Sequence, residues 1–373
     1  MLRTSDLDYE LPEDRIATRA AEPRDSARLM VVSRTEPSRV EDRVVRDLPE
    51  ILRPGDLLVL NVTTVQPARF RGRRVGTTGK MEGLYLGEEV SSQGEPPKWR
   101  VYIKARHTRA GAEFDLVEPS GAPAGLRLRV LNRSQTEAGA WVVEVAGADG
   151  ASARGCLDRV GLPPLPPYIL AARKHAGLAE DDPSDRERYQ TVFADHRRFG
   201  SVAAPTAGLH FTPALLERLS TRGVKTTSVT LNVGSGTFKP VETEFVEQHP
   251  MHAEWCAMTE KAIREVRQVR SGGGRVIAVG TTAARTLEAY ARIVDGPPPL
   301  PDMLETNLLI TPGYEVRWVD GLLTNFHLPR STLMALVAAM LPGDGVARLK
   351  ELYGRAIGAG YRFYSFGDAM LIV

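Results

Sequence analysis

The chain has 373 residues, 42% hydrophobic and 25% charged, enough to bury the cores of two ordinary globular domains. No run of about 18 apolar residues occurs, so no membrane span is expected, and the N-terminal residues lack the apolar segment of a secretory signal. A formal net charge of +2 argues against a protein that coats long nucleic acid, while leaving room for a local basic surface.

Cys156 and Cys256 lie outside any C-x-x-C spacing, so a reducing, cytoplasmic compartment and no structural zinc are expected. Residues 1–65 read as mixed structure ending in a strand. The run Asp56-Leu57-Leu58-Val59-Leu60-Asn61-Val62 follows the turn Arg53-Pro54-Gly55 and is apolar enough to be covered on both faces.

Between 67 and 155 the pattern changes. Segments starting at Trp99, Glu113, Leu126 and Trp141 alternate with period two and are separated by Gly, Pro, Ser and Asn, which predicts a small antiparallel barrel or sandwich. This stretch holds 14 Lys/Arg against 10 Asp/Glu, +4, leaving −2 for the rest of the chain. Arg69, Arg71, Arg73 and Arg74 cluster at its start, near Lys80. Each alone reads as solvated surface; together they are a candidate contact for a nucleic-acid backbone.

Beyond 155, strands and helices alternate. Thr212 reads as the N-cap of a helix starting at Pro213 and closed by Gly223. A strand over 275–280 meets a turn and a helix from about Ala283 to Ile293, and another helix spans 331–340, capped by Ser331. The aromatics Tyr361, Phe363, Tyr364 and Phe366 read as a buried strand. The expected fold is an α/β main domain, residues 1–65 and 156–373, with an inserted small antiparallel β-barrel domain, 66–155.

Several segments carry chemistry. Pro205-Thr206-Ala207-Gly208-Leu209-His210-Phe211 is poor in large side chains just before a helix, so its backbone can approach a ligand; the plainer reading is a tight turn under that helix. Val279-Gly280-Thr281-Thr282 follows a strand and opens a helix, where a nucleoside or carboxylate can meet free N–H groups. His210, His252 and His327 each sit among small residues or beside prolines and are candidates for moving protons. Glu254, beside Trp255, becomes a usable base if the ring buries it. Asp368 pairs either with the edge of a purine-like base or with nearby backbone. His249 and His252 lack companion ligands, so no metal is expected.

Read together, these segments resemble the S-adenosylmethionine:tRNA ribosyltransferase-isomerase family of queuosine biosynthesis. The likeness rests on the segment ending at Phe211, on Arg188-Tyr189-Gln190-Thr191, on Met251-His252-Ala253-Glu254-Trp255 and on Arg285-Thr286-Leu287-Glu288. It continues through Asn325-Phe326-His327-Leu328-Pro329-Arg330 and Phe366-Gly367-Asp368-Ala369-Met370, and so covers nearly the whole chain in order.

The resemblance implies an α/β domain plus a β-barrel, with tRNA and S-adenosylmethionine as partners. It implies transfer of ribosyl carbons to an aminomethyl-deazaguanine base, loss of adenine and methionine, and no cofactor beyond the cosubstrate. On that basis proton transfer falls to His210 or Glu254, with His252 beside them. Binding of the substrates falls to Thr206, Gly208, Gly280, Thr281, Thr282, Arg285 and His327, and recognition of the base to Asp368.

The chain departs from the family's pattern at Val62 and Thr64, where an acidic and a basic residue are usual, and at Asn232, where histidine is usual. Those departures keep open a diverged relative with another acceptor. A non-catalytic RNA-binding protein using the basic barrel is the reading of a different class; retention of His210, Glu254 and Asp368 speaks against it.

Overall fold

A computed structural model describes residues 1–89, 96–148, 150–180, 182–197, 200–234, 241–251, 253–294 and 300–373. The chain divides into two compact units, one of residues 1–64, 166–180 and 188–373, the other of residues 65–165 and 181–187.

The larger unit is organised around one sheet. Its strands are β1 (Arg28–Val32), β2 (Val40–Val44), β3 (Leu57–Asn61), β10 (Lys225–Leu231), β11 (Glu254–Met258), β12 (Val276–Val279), β13 (Met303–Thr306), β14 (Gly321–Asn325) and β15 (Ala369–Ile372). Across the sheet the order is β13-β11-β10-β3-β12-β14-β15-β1-β2. β10, β3, β12 and β14 run parallel as neighbours, so both faces need cover. All five residues of β3 are accordingly buried, and each fully buried Leu or Val contributes about 1.5–3 kcal/mol.

The cover is helical. Thr259 caps Glu260–Ser271, whose apolar stripe Ala262, Ile263, Val266 and Val269 faces inward. The helix Thr281–Ile293 follows β12 directly, beginning two residues before the expected start. The helix Pro213–Thr221 starts at its proline as expected, and the Thr212 hydroxyl accepts from the Leu215 amide at 3.1 Å, a cap worth about 1 kcal/mol. Ser331 caps Thr332–Met340 in the same way.

One expected strand is absent. Residues 361–366 form an irregular turn, with Tyr361 and Phe363 fully buried and Tyr364 7% exposed. The Tyr364 backbone takes φ = 69°, which a strand cannot accommodate.

The smaller unit is a closed antiparallel barrel of β4 (Arg69–Arg74), β5 (Lys80–Glu89), β6 (Lys98–Lys104), β7 (Glu113–Val117), β8 (Pro123–Arg133) and β9 (Trp141–Ala146), in the order β4-β5-β6-β9-β8-β7. Closure removes the unpaired edges an open sheet would leave. Phe70, Trp99, Phe114 and Leu128 are fully buried in it. Gly83 is required here, since a Cβ on it would stand 2.2 Å from the Phe70 ring.

Candidate active site

Parallel neighbours bring their C-terminal ends to one sheet edge, the usual position of an α/β site. At that edge lie Asn61 ending β3, Gly280 after β12, Asn325 ending β14, and Leu231 ending β10. β15 is antiparallel to β14 and pairs Ala369 with Asn325, so Asp368 joins them. β11 is antiparallel to β10 and pairs Cys256 with Leu231, which delivers Glu254.

A cleft opens there. Its walls come from residues 203–207, 280–282 and 324–328, with Tyr168, Val233, Ser331, Tyr364 and Ser365. The three loops that the sequence singles out therefore meet on one cavity. The Thr206 hydroxyl donates to the Asn325 side-chain oxygen at 2.9 Å, and the Asn325 amide donates to the Tyr364 carbonyl at 3.1 Å. Those bonds join three wall segments. The Tyr168 and Tyr364 ring centroids lie 4.6 Å apart, giving the cleft an aromatic side suited to a planar base.

His327 lines the cleft. Its Nε2 is 2.7 Å from the Thr324 hydroxyl, and burial pushes its pKa down to about 4, so the imidazole is neutral at physiological pH. Tyr353 OH accepts from the His327 amide at 2.9 Å, and Tyr9 OH donates to its carbonyl, fixing the loop on both sides.

His210 lies outside the cleft wall. Its Nδ1 and Nε2 each stand 3.0 Å from a carbonyl oxygen, of Ala207 and Gly367 respectively. Burial lowers its pKa against the opposing pull of those carbonyls. Gly208 is also set back, where a Cβ would meet the Phe193 ring at 2.6 Å and a Thr191 methyl at 3.0 Å; close packing accounts for the glycine.

Glu254 is buried, whereas Trp255 is 50% exposed, because consecutive strand residues face opposite sides. The tryptophan ring therefore does not bury the carboxylate. Glu254 instead pairs with the Arg285 guanidinium and accepts from the Gly234 amide at 3.3 Å. Arg285 Nε donates to the Leu308 carbonyl at 3.1 Å, and its buried Nη2 has no hydrogen-bond partner among the described residues. Breaking such a buried pair by removing one member costs about 3–5 kcal/mol.

The Asp368 carboxylate accepts from the Arg28 amide at 3.0 Å and the Arg362 amide at 2.8 Å, with the Arg362 side chain at 3.3 Å. It is 2% exposed and outside the cleft wall, the nearby-backbone alternative of the sequence reading. His252 lies outside the described residues. Sequence reasoning missed Asn61, Tyr168, Asn325 and Tyr364; only the crowding of aromatics near 364 hinted at the last.

On the barrel, the four arginines differ. Arg69 is buried, Arg71 half-buried and Arg73 exposed. Arg74 donates to the Arg106 and His107 carbonyls and covers the Phe114 ring at 4.9 Å. Among the described residues no group of three or more His, Cys, Asp or Glu is placed to hold a metal ion, and no single helix is long and apolar enough to cross a membrane.

The larger unit is a mixed α/β sheet whose parallel strands end at a polar and aromatic cleft. The family model described as queuosine biosynthesis protein matches residues 4–372. A Symbiobacterium thermophilum protein named S-adenosylmethionine:tRNA ribosyltransferase-isomerase is 45% identical, with all of both chains covered. A Caulobacter vibrioides protein of the same name is 44% identical over all of this chain and 98% of its own. A solved S-adenosylmethionine tRNA ribosyltransferase from Thermotoga maritima is similar at 34% identity and a TM-score of 0.52, covering 99% of this chain and 100% of that one. The chain belongs to the queuosine biosynthesis protein family.

Proposed function

We propose that the chain transfers and isomerises the ribosyl moiety of S-adenosylmethionine onto the 7-aminomethyl-7-deazaguanine base of tRNA. The products are epoxyqueuosine-tRNA, adenine and methionine. The observation that carries this reading is full-length similarity to proteins bearing that name. The matching sequence segments also supply walls of one cleft.

The chemistry sets the demands on the site. A sulfonium acidifies the adjacent C5′ protons, so a base must face them while bulk water is kept out. Among the described candidates His327 is the histidine that lines the cleft; burial keeps it neutral, and its Nε2 is held at the Thr324 hydroxyl. His210 and Glu254 lie behind the wall with their polar atoms already engaged, which supports a role for both in holding its shape. Asp368 fits the same role through its two backbone amides. Tyr168 and Tyr364 suit stacking of a purine or deazapurine ring.

A second reading, a relative with a different acceptor, is favoured by Val62, Thr64 and Asn232. Adenine release with tRNA carrying the aminomethyl base, compared with tRNA lacking it, distinguishes the two.

A further inference from the structure

We propose that the helix end at residues 280–282 is the subsite for the α-carboxylate of S-adenosylmethionine. Asn61 is a positioning residue there, turning the Thr282 hydroxyl proton toward the ligand. This rests on the reading that the cleft holds S-adenosylmethionine.

The first observation is an uncapped helix start. Thr281–Ile293 has 13 residues, and no side chain caps its N-terminus. Gly280, at φ = 91°, offers its carbonyl to the Ala284 amide at 3.1 Å. The first-turn amides before it have no carbonyl within the helix to meet, and they point at the cleft edge with the positive end of the helix dipole.

The second observation is independent of the helix. Thr281 is 8% exposed, lines the cleft, and its hydroxyl makes no hydrogen bond among the described residues. The hydroxyl oxygen is not among the buried unpartnered atoms, so it is open to the cleft, where a ligand can reach it.

The third fixes a direction. Asn61 Oδ1 accepts from the Thr63 amide at 3.2 Å and the Leu231 amide at 3.1 Å. Two N–H donors on one end make that end the oxygen, so Nδ2 is the donor. It donates to the Leu231 carbonyl at 3.0 Å and the Thr282 hydroxyl at 3.1 Å. A hydroxyl that accepts from Asn61 directs its own proton elsewhere, and Thr282 lines the cleft.

The corner is rich in donors: backbone N–H groups at the positive end of the helix dipole, and two hydroxyls, one of which has its proton directed by Asn61. A carboxylate is acceptor-only and anionic, which suits both the donors and the dipole. In S-adenosylmethionine that group is the α-carboxylate alone.

Titration calorimetry with three probes tests this: S-adenosylmethionine, its decarboxylated analogue, and 5′-methylthioadenosine. The wild type should bind S-adenosylmethionine at least about tenfold more tightly than the decarboxylated analogue, the usual worth of charge-assisted hydrogen bonds. Thr282→Val, nearly isosteric, should erase most of that ratio without weakening the analogue, and Thr282→Ser should restore it. Asn61→Asp cannot donate to Thr282, so it should also erase the ratio. Equal affinity of the wild type for the two ligands, or an equal loss of both in Thr282→Val, overturns the carboxylate assignment. Competition by 5′-methylthioadenosine in those cases would leave the cleft as the nucleoside site; failure of all three probes to bind would defeat that reading itself.

Discussion

The His210 imidazole bridges two carbonyl oxygens, with Gly367 3.0 Å from Nε2 and Ala207 3.0 Å from Nδ1. The bridge ties the loop before the helix Pro213–Thr221 to the turn before β15. A neutral ring carries one N–H and satisfies one carbonyl; a charged ring satisfies both at the cost of burying its charge. His210→Phe should therefore lower stability by about 1–3 kcal/mol, with His210→Gln keeping part of it. Denaturant unfolding measures the loss. Unchanged stability with abolished adenine release would return His210 to the chemistry.

His327 sets a pH dependence. Its folded pKa of about 4 lies below the ordinary 6.5, so the unfolded chain takes up the proton first as pH falls. Its contribution to stability is present above pH 6.5 and is lost between 6.5 and about 4, by about 3 kcal/mol. His327→Gln should flatten that part of the stability profile. An equally steep profile in the variant would show that other groups carry the effect.

Val62 and Thr64 are satisfied without an ion pair. The Val62 amide donates to the Val229 carbonyl, its carbonyl accepts from the Asp195 amide, both at 2.9 Å, and the Thr64 hydroxyl donates to the Asp195 carbonyl at 2.8 Å. Val62→Asp should destabilise the fold by about 1–3 kcal/mol through an unpaired, half-buried carboxylate, and adding Thr64→Arg should recover part. Thermal unfolding of the two variants tests this. A gain in adenine release without lost stability in Val62→Asp would make this strand end part of the catalytic machinery.

The barrel arginines should separate by exposure. Arg73 faces solvent opposite Lys80 on the neighbouring strand, so Arg73→Ala should reduce the salt dependence of tRNA affinity by about one unit while leaving turnover at saturating tRNA unchanged. Arg69 is 8% exposed, and its loss should appear mainly as lost stability. Unaltered tRNA affinity of Arg73→Ala at several salt concentrations would remove this face from the RNA contact.

Much of the fold was legible because it depends on local pattern. The apolar run 57–61 announced a strand covered on both faces, and Thr212 with Pro213, and Ser331, marked helix starts. The site was legible as segments and much less as roles. A histidine among small residues looks the same whether it faces a cleft, as His327 does, or two carbonyls, as His210 does. Asn61 stayed hidden at the end of an apolar strand because its partners Leu231 and Thr282 lie 170 and 221 residues away. Tyr364 reads as a strand residue because periodicity carries no sign of φ; its left-handed turn is tied in by the Asn325 amide and by backbone bonds to Phe326 and Gly367.

The most direct measurement is product analysis after incubating the full chain with S-adenosylmethionine and tRNA bearing 7-aminomethyl-7-deazaguanine. Free adenine and free methionine should appear in equal amounts, matched by ribose-derived carbon retained in the tRNA. Methylated tRNA with S-adenosylhomocysteine, or no adenine release from a folded protein that binds both substrates, would contradict the assignment.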